Sequence, residues 1–206
     1  YPHLLSLAGM TRIAVFASGS GSNAEKIIRY FQQHPAIRVC WVLTNNPNAG
    51  VIGRAKALDV PCHLFDRRQF RETTAVVEFL KSEKIDLVVL AGFLWLVPAN
   101  LINAFHGRII NIHPALLPQF GGKGFYGEHV HRAVIESGQP ISGITVHAVN
   151  EQFDSGDILF QAACHVDRSD NADQLAHKIH ALEHRYFPVV IEKLIESGLP
   201  IPDSRA

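Results

Sequence analysis

Short apolar segments alternate with amphipathic segments along the first half of the chain, and this alternation most constrains the fold. Residues 12–17 are typical of a buried strand, and Ala24, Ile27, Ile28 and Phe31 follow at helical spacing. The pattern repeats, predicting strands at 37–44, 61–65 and 86–91 and helices at 49–58 and 70–81. Strands that alternate with helices form a parallel sheet covered on both faces. The sequence therefore predicts an α/β fold with an open, mostly parallel twisted sheet.

The second half departs from this alternation. Residues 142–149 and 158–166 alternate between apolar and polar, and they flank the turn at 153–157. Two such strands around a short turn favour antiparallel pairing, so we expect an antiparallel extension near the C-terminal half. The other predicted elements are a short helix at 99–105, a strand at 108–112 and a long helix at 171–195.

The chain has 206 residues, without an internal repeat or a low-complexity linker, which favours a single domain. Met10 followed by a strand looks like a natural start, so residues 1–9 are expected to be an extension outside a domain at 10–206. The Lys and Arg residues number 19, as do the Asp and Glu residues. A net charge of zero argues against a nucleic-acid surface or binding to an anionic membrane.

Two further features of the sequence indicate where in the cell the protein is expected to act. The longest apolar run, 87–99, contains Gly92 and Pro98 and is shorter than the roughly 20 residues that span a bilayer. The three cysteines have no C-x-x-C spacing and lie among apolar neighbours. We therefore expect buried thiols in a reducing cytoplasm and no association with membranes.

A glycine-rich segment separates the first strand from the first helix. Its glycines and the free N–H groups of a helix start suit an anion, but it lacks both the P-loop lysine motif and the third glycine of the dinucleotide motif. A monophosphate site and a simple tight turn are both open on this evidence. Ser22 and Glu25 have the spacing of a capping box, which predicts Ser22 as the N-cap. The candidate phosphate residues are Gly19, Ser20, Gly21, Ser22 and Asn23.

Polar residues of types that are common in catalytic sites lie at the end of the strand predicted at 108–112. Asn111 and His113 are two positions apart, so in a strand they share a face. An amide beside an imidazole suits oxyanion stabilisation and proton transfer, and Asp154 in the later turn could support the imidazolium. Locally, the same residues are also compatible with an ordinary loop and turn. The 12 histidines include His129, His131 and His184, but no zinc-binding pattern such as H-E-x-x-H occurs, so no metal is expected.

With these motifs in chain order, the sequence resembles the folate-dependent phosphoribosylglycinamide formyltransferases from residue 12 to residue 195. The segments that carry the resemblance are ASGSGSN, VVLAGFLWLVP, GRIINIHPALLP, GITVHAVNEQFDSG and LEHRYFP. The resemblance implies a Rossmann-like formyltransferase fold. It also implies transfer of the formyl group of 10-formyltetrahydrofolate, a cosubstrate, to the amine of glycinamide ribonucleotide in purine synthesis. A monomer or a homodimer is expected, without nucleic acid, membrane or metal.

The resemblance also implies roles for individual residues. His113 is the catalytic imidazole, Asn111 the oxyanion-binding amide, and Asp154 the carboxylate that raises the imidazole pKa. Glu183 joins Gly19, Ser20, Gly21, Ser22 and Asn23 as a ribonucleotide-binding residue. The residues expected to contact the folate are Leu94, Trp95, Leu96, Val97, Ile109, Asn111, Asn150, Glu151, Gln152, Phe153 and Asp154.

The sequence departs from the family pattern at two places. Trp95 stands where one branch has arginine, and the segment 119–131 is longer than the shortest family versions. Two related enzymes are alternative interpretations: methionyl-tRNA formyltransferase and formyltetrahydrofolate hydrolase. Both share the HPxLLP core but carry additional domains. A phosphate-binding module without catalysis is a further alternative, which leaves Asn111, His113 and Asp154 as a coincidence.

Overall fold

The computed structural model describes residues 9–201, so most of the expected extension at 1–9 lies outside the described residues. One sheet has the order β3-β2-β1-β4-β5-β6-β7. Its strands are β1 (Thr11–Phe16), β2 (Ile37–Thr44), β3 (Cys62–Leu64), β4 (Leu87–Leu90), β5 (Ile109–His113), β6 (Ile141–Ala148) and β7 (Ile158–His165). Strands β1 to β5 pair in parallel, whereas β6 pairs antiparallel with β5 and β7. The predicted parallel sheet with an antiparallel extension is confirmed.

Helices cover both faces of this sheet. They are α1 (Ser22–Phe31), α2 (Gly50–Ala57), α3 (Arg67–Arg71), α4 (Ala75–Ser82), α5 (Ala99–Ala104), α6 (Glu128–Ser137) and α7 (Ala172–Ser197). Ile13 and Val15 of β1 pack into one buried core with α1, α2 and α7, and Ala14 and Phe16 pack into a second core with α4 and α5. Because both faces of the central strands are buried, those strands are continuously apolar rather than alternating.

The helices differ from the predictions at two places. The predicted helix at 70–81 is divided into α3 and α4, because the Thr73 hydroxyl accepts a hydrogen bond from the Ala75 N–H and donates one to the Gln69 carbonyl. These side-chain bonds compete with the helical backbone pattern. Helix α6 has no counterpart among the predicted elements. The long helix α7 continues through Pro188, close to its predicted span.

The start of α1 also differs from the prediction. Gly21, not Ser22, is the N-cap, and its φ of 77° lies in the left-handed region that glycine favours. A Cβ at this position would lie 2.5 Å from Cβ of Val51. Glu25 contacts Arg29 and Arg54 rather than closing a capping box, so that prediction is wrong.

Within residues 9–201, no helix has the length and apolar character required to cross a bilayer. All three cysteines are free thiols. Cys40 is buried as predicted, but Cys62 and Cys164 are only half-buried, since they lie on the short edge strand β3 and on the opposite edge strand β7.

Candidate active site

The strand β5 and its antiparallel partner β6 build the centre of the site. Asn111 and His113 lie two residues apart on β5, as predicted. The register places His147 of β6 opposite Asn111 and Thr145 opposite His113. Four polar residues therefore lie side by side at the carboxyl end of a parallel strand, where ligands bind in open α/β sheets. Neither His147 nor Thr145 was among the predicted site residues.

The buried imidazole of His113 contacts groups from two loops. Its Nε2 lies 2.7 Å from the Phe120 carbonyl oxygen, to which Nε2–H donates. Its Nδ1 lies 3.5 Å from a carboxylate oxygen of Asp154. Because a carbonyl only accepts, the proton of neutral His113 lies on Nε2, and a second proton on Nδ1 would face the carboxylate. The fold thus brings together the two residues that the sequence separates.

Asp154 connects both histidines to the loop that follows β5. One of its oxygens accepts a hydrogen bond of 3.0 Å from the Gly122 N–H, and the other lies 3.5 Å from Nε2 of His147. Burial alone would raise the pKa of Asp154, but the imidazoles of His147 and His113, which attract the carboxylate when they are protonated, and the Gly122 N–H outweigh burial and lower it. Asp154 is therefore an ionised group inside the site at neutral pH.

Two opposing effects act on the pKa of His113. Burial lowers the pKa of His113, and the Asp154 carboxylate only partly offsets this effect. The pKa therefore lies below its ordinary value, not above it, because the desolvation cost of the imidazolium exceeds the attraction of a carboxylate at 3.5 Å. Asp154 raises the pKa only relative to an equally buried imidazole without that charge.

The amide of Asn111 is oriented by His147. Nδ1–H of His147 donates to the Ala148 carbonyl, so Nε2 of the neutral ring is an acceptor, and Asn111 Nδ2 lies 3.0 Å from it. One amide hydrogen of Asn111 is used in this bond. The other remains to donate to an oxygen that carries developing negative charge.

A buried hydroxyl fixes the segment that follows His113. The Thr145 hydroxyl donates to the Ala115 carbonyl and accepts from the Leu117 N–H, at 2.7 and 3.0 Å. Gln161 of β7 also donates to both the Thr145 hydroxyl and the Leu117 carbonyl. This network anchors the chain just before Phe120 and Gly122, which contact His113 and Asp154.

The predicted phosphate loop lies at the N-terminus of α1. Gly19 and Ser20 are exposed, and the Glu25 N–H is bonded to the Gly21 carbonyl as the first turn of the helix forms. The N–H groups that precede Glu25 have no partner earlier in the helix, and the helix dipole favours an anion beside them. The segment therefore has the geometry of an anion site, as well as that of a tight turn.

The structure brings Asn23 and Glu183 together. Asn23 Nδ2 donates to a carboxylate oxygen of Glu183 at 2.9 Å, and Glu183 is 5% exposed. Burial raises the pKa of Glu183 to about 7, although the Asn23 bond opposes the shift. The side-chain oxygen of Asn23 is buried without a hydrogen-bond partner among residues 9–201. An unsatisfied acceptor beside a buried carboxyl group suits a ligand with hydroxyl or amide donors.

The residues expected to contact folate fall into two groups. Ile109, Asn150 and Glu151 line a cavity of about 280 Å³, together with residues that sequence reasoning missed, including Ile102, His106 and Val149. The loop at 149–157 that forms one wall also carries Gln152, Phe153 and Asp154.

The segment Leu94 to Val97 does not line this cavity. Leu94 is half exposed, and its N–H donates to the Ser18 hydroxyl beside the glycine loop. Trp95 packs on the rings of Phe65, Phe70 and Phe93, so the ring that replaces an arginine is part of an aromatic cluster. Val97 is buried in the same core as Ile109, and Leu96 is half-buried.

Within the part of the chain that the structure describes, the histidines outside the centre do not form a metal site. His131, His180 and His184 lie near one another, with adjacent ring centroids 6.4 and 6.1 Å apart. Across residues 9–201, no three His, Cys, Asp or Glu side chains are arranged to hold a metal ion.

Comparison with known proteins identifies the family. The profile of the formyl transferase family matches residues 11–191. A Bacillus subtilis phosphoribosylglycinamide formyltransferase is 36% identical over 195 residues, which cover 90% of this chain and 95% of that protein. A chloroplastic phosphoribosylglycinamide formyltransferase of Arabidopsis thaliana is 39% identical over 91% of this chain, which spans 66% of the plant protein.

A solved structure gives the same result. The crystal structure of phosphoribosylglycinamide formyltransferase from Bacillus halodurans superposes with a TM-score of 0.81 at 38% identity, covering 90% of this chain and 95% of that one. Both the sequence and the fold thus match over nearly the whole described chain. The chain belongs to the formyl transferase family and, within it, to the phosphoribosylglycinamide formyltransferases.

Proposed function

We propose that this chain transfers the formyl group of 10-formyltetrahydrofolate to the amine of glycinamide ribonucleotide, with His113, Asn111 and Asp154 as the catalytic residues. The products are formylglycinamide ribonucleotide and tetrahydrofolate, and the reaction is a step of purine biosynthesis. The observation that carries the residue assignment is the buried cluster in which Asp154 lies 3.5 Å from His113, beside the oriented amide of Asn111. The reaction itself is assigned from the family to which the chain belongs.

The reaction forms one C–N bond and breaks another. The amine nitrogen of the ribonucleotide bonds to the formyl carbon, the bond from that carbon to N10 of the folate breaks, and a proton moves from the amine to N10. Asn111 and the imidazolium of His113 would donate to the formyl oxygen as negative charge develops there. Asp154 would stabilise the imidazolium and accept a proton during the transfer.

One contact of His113 must change before it can act in this way. Its Nε2–H is bonded to the Phe120 carbonyl, so a substrate oxygen would take the place of that carbonyl. Phe120 has a φ of 54°, which is unfavourable for an aromatic residue. A change of this backbone conformation would therefore require little free energy. We infer that ligand binding moves the Phe120 carbonyl away from His113.

Each substrate has a matching surface. The glycine loop would hold the phosphate, and Asn23 and Glu183 would bind polar groups of the ribonucleotide nearby. The cavity of about 280 Å³ is close to the lower end of the roughly 300–1,000 Å³ typical of ligand sites, so it suits the pterin ring rather than a whole folate. Ile102, Ile109 and Val149 supply apolar side chains to its lining, and Asn150 supplies a polar one.

The free thiols support a reducing compartment such as the cytoplasm as the place of action. No step proposed for these residues requires a metal.

A formyl-transfer assay with competing acceptors tests the proposal. We expect tetrahydrofolate to form in proportion to formylated glycinamide ribonucleotide, with little transfer to water or to initiator tRNA. Formyl release to water at the same rate without ribonucleotide would indicate a hydrolase and contradict the proposal. Transfer to tRNA alone would indicate a methionyl-tRNA formyltransferase and would also contradict the proposal.

The phosphate assignment predicts a selective effect of Gly19→Ala. A Cβ at Gly19 meets no atom within 4 Å, and its φ is ordinary, so the added methyl group enters the open space in which a phosphate would lie. We expect the KM for ribonucleotide to rise at least about tenfold, a cost of about 1.4 kcal/mol, with little change in the KM for the folate. Steady-state kinetics with each substrate varied measures both values.

Gly53→Ala is the matched control, because a Cβ there also meets no atom within 4 Å but lies on the exposed surface of α2. We expect it to leave both KM values unchanged. Equal losses for the two substrates in Gly19→Ala would argue against a phosphate site. Gly21→Val is a poor probe, since its side chain would collide with Val51 whatever the loop binds.

A further inference from the structure

Helix α2 supports the glycine loop from behind. The Val51 N–H donates to the Gly19 carbonyl at 3.2 Å, and the Val51 side chain lies against Gly21. Gly50 is equally close, since a Cβ there would lie 3.1 Å from the Ser20 carbonyl oxygen. The loop is therefore packed directly on the first turn of α2.

Arg54, one turn further along α2, adds a polar contact. Its Nε–H donates to the Ser20 carbonyl at 2.9 Å, and its Nη1 pairs with the carboxylate of Glu25 on α1. Glu25 also pairs with Arg29, and hydrogen bonds from Arg29 and Arg54 lower the pKa of Glu25. One guanidinium thus ties the middle of the loop to the first turn of α1.

These contacts fix the direction of the loop amides. The carbonyls of Gly19, Ser20 and Gly21 accept from Val51 N–H, Arg54 Nε–H and Glu25 N–H, respectively. In a trans peptide the N–H of the next residue points opposite to the carbonyl. Because these three carbonyls are held by α1 and α2, the N–H groups of Ser20, Gly21 and Ser22 point away from those partners.

We propose that Arg54 is a positioning residue for the ribonucleotide: by holding the Ser20 carbonyl, it aims the Gly21 N–H at the phosphate. This inference rests on the proposed phosphate-binding function of the loop. It assigns to Arg54 an indirect role, through backbone orientation, rather than a contact with the substrate. Losing Arg54 should therefore weaken phosphate binding without disturbing the folate site or the chemical step.

The test compares Arg54→Gln with Arg29→Gln. Both arginines pair with Glu25, but only Arg54 bonds to the loop, so Arg29→Gln removes a similar surface ion pair and serves as the control. We expect Arg54→Gln to raise the dissociation constants of glycinamide ribonucleotide and of ribose 5-phosphate about tenfold, the loss expected when one hydrogen bond to a charged group, here from the Gly21 N–H to the phosphate, is weakened. The folate KM, kcat at saturating substrates and the melting temperature should match those of Arg29→Gln.

Arg54→Lys separates positioning from charge. Lysine keeps the positive charge but lacks the planar Nε–H and Nη1–H pair, so we expect it to bind ribonucleotide as weakly as Arg54→Gln. Full rescue by lysine would show that charge alone matters and would overturn the proposal, as would equal affinities in Arg54→Gln and Arg29→Gln. If Gly19→Ala weakens ribonucleotide binding while Arg54→Gln does not, only the positioning role fails. If neither variant changes binding, the phosphate assignment fails as well.

Discussion

Asp154→Asn is expected to reduce kcat for formyl transfer about 1,000-fold, within the range typical of a lost acid–base group. The substitution removes the carboxylate charge that lies 3.5 Å from both His113 and His147. Asparagine tolerates the left-handed conformation of this residue, whose φ is 51°, and its oxygen can still accept from the Gly122 N–H. The fold and the binding of both substrates should therefore change little.

The pH dependence gives a sharper test than the rate. Burial already lowers the pKa of His113, and Asp154 is the main group that opposes this shift. Without the charge, the pKa of His113 should fall further, so imidazolium is lost at a lower pH. The high-pH limb of the kcat profile should move to lower pH in the variant, whereas the low-pH limb that arises from protonation of the amine should remain.

NMR titration of His113 in the wild type and in Asp154→Asn measures the coupling directly. Asp59→Asn is the matched control, because Asp59 is also an aspartate with a positive φ, of 56°, but is exposed on the surface after α2. We expect it to alter neither the His113 titration nor kcat. An unchanged His113 titration in Asp154→Asn would refute the coupling, even if the variant were inactive.

Much of this centre could be predicted because it depends on local spacing. Asn111 and His113 share a face since they lie two residues apart on a strand, and the alternation of elements predicts that this strand ends at the ligand-binding edge of the sheet. His147 and Thr145 are also two residues apart, in GITVHAVN, but their proximity to Asn111 and His113 depends on the antiparallel register between β5 and β6. This register is set by tertiary packing, so it cannot be predicted from the spacing of residues along the sequence.

Other parts of the site depend on contacts with no sequence signal. The Phe120 carbonyl and the Gly122 N–H act through the backbone, so their side chains give no indication of a role. The N-cap prediction failed for a related reason. The approach of Val51 requires glycine at position 21 in a left-handed conformation, and this steric requirement outweighs the capping preference of Ser22.

Glu183→Gln is expected to stabilise the protein at neutral and higher pH while weakening ribonucleotide binding at least about tenfold. An acid whose pKa rises from 4.5 unfolded to about 7 folded binds more protons in the folded state between those values. The folded state therefore loses stability as pH increases through this window, and above it carries a penalty of roughly 2–4 kcal/mol. Glutamine removes the ionisation and keeps an oxygen that accepts from Asn23.

Chemical denaturation at about pH 4 and about pH 8 tests the sign of this effect. The gain in unfolding free energy of Glu183→Gln over the wild type should be near zero at the lower pH and largest at the higher pH. Glu196→Gln, a control on the exposed surface of the same helix, should show no such dependence. A gain that is equal at both pH values would exclude ionisation as its cause. Unchanged ribonucleotide affinity would show that Glu183 does not bind the substrate. If both effects are observed, the protein retains a costly buried carboxyl group because an ionised acceptor binds substrate donors more strongly than an amide does.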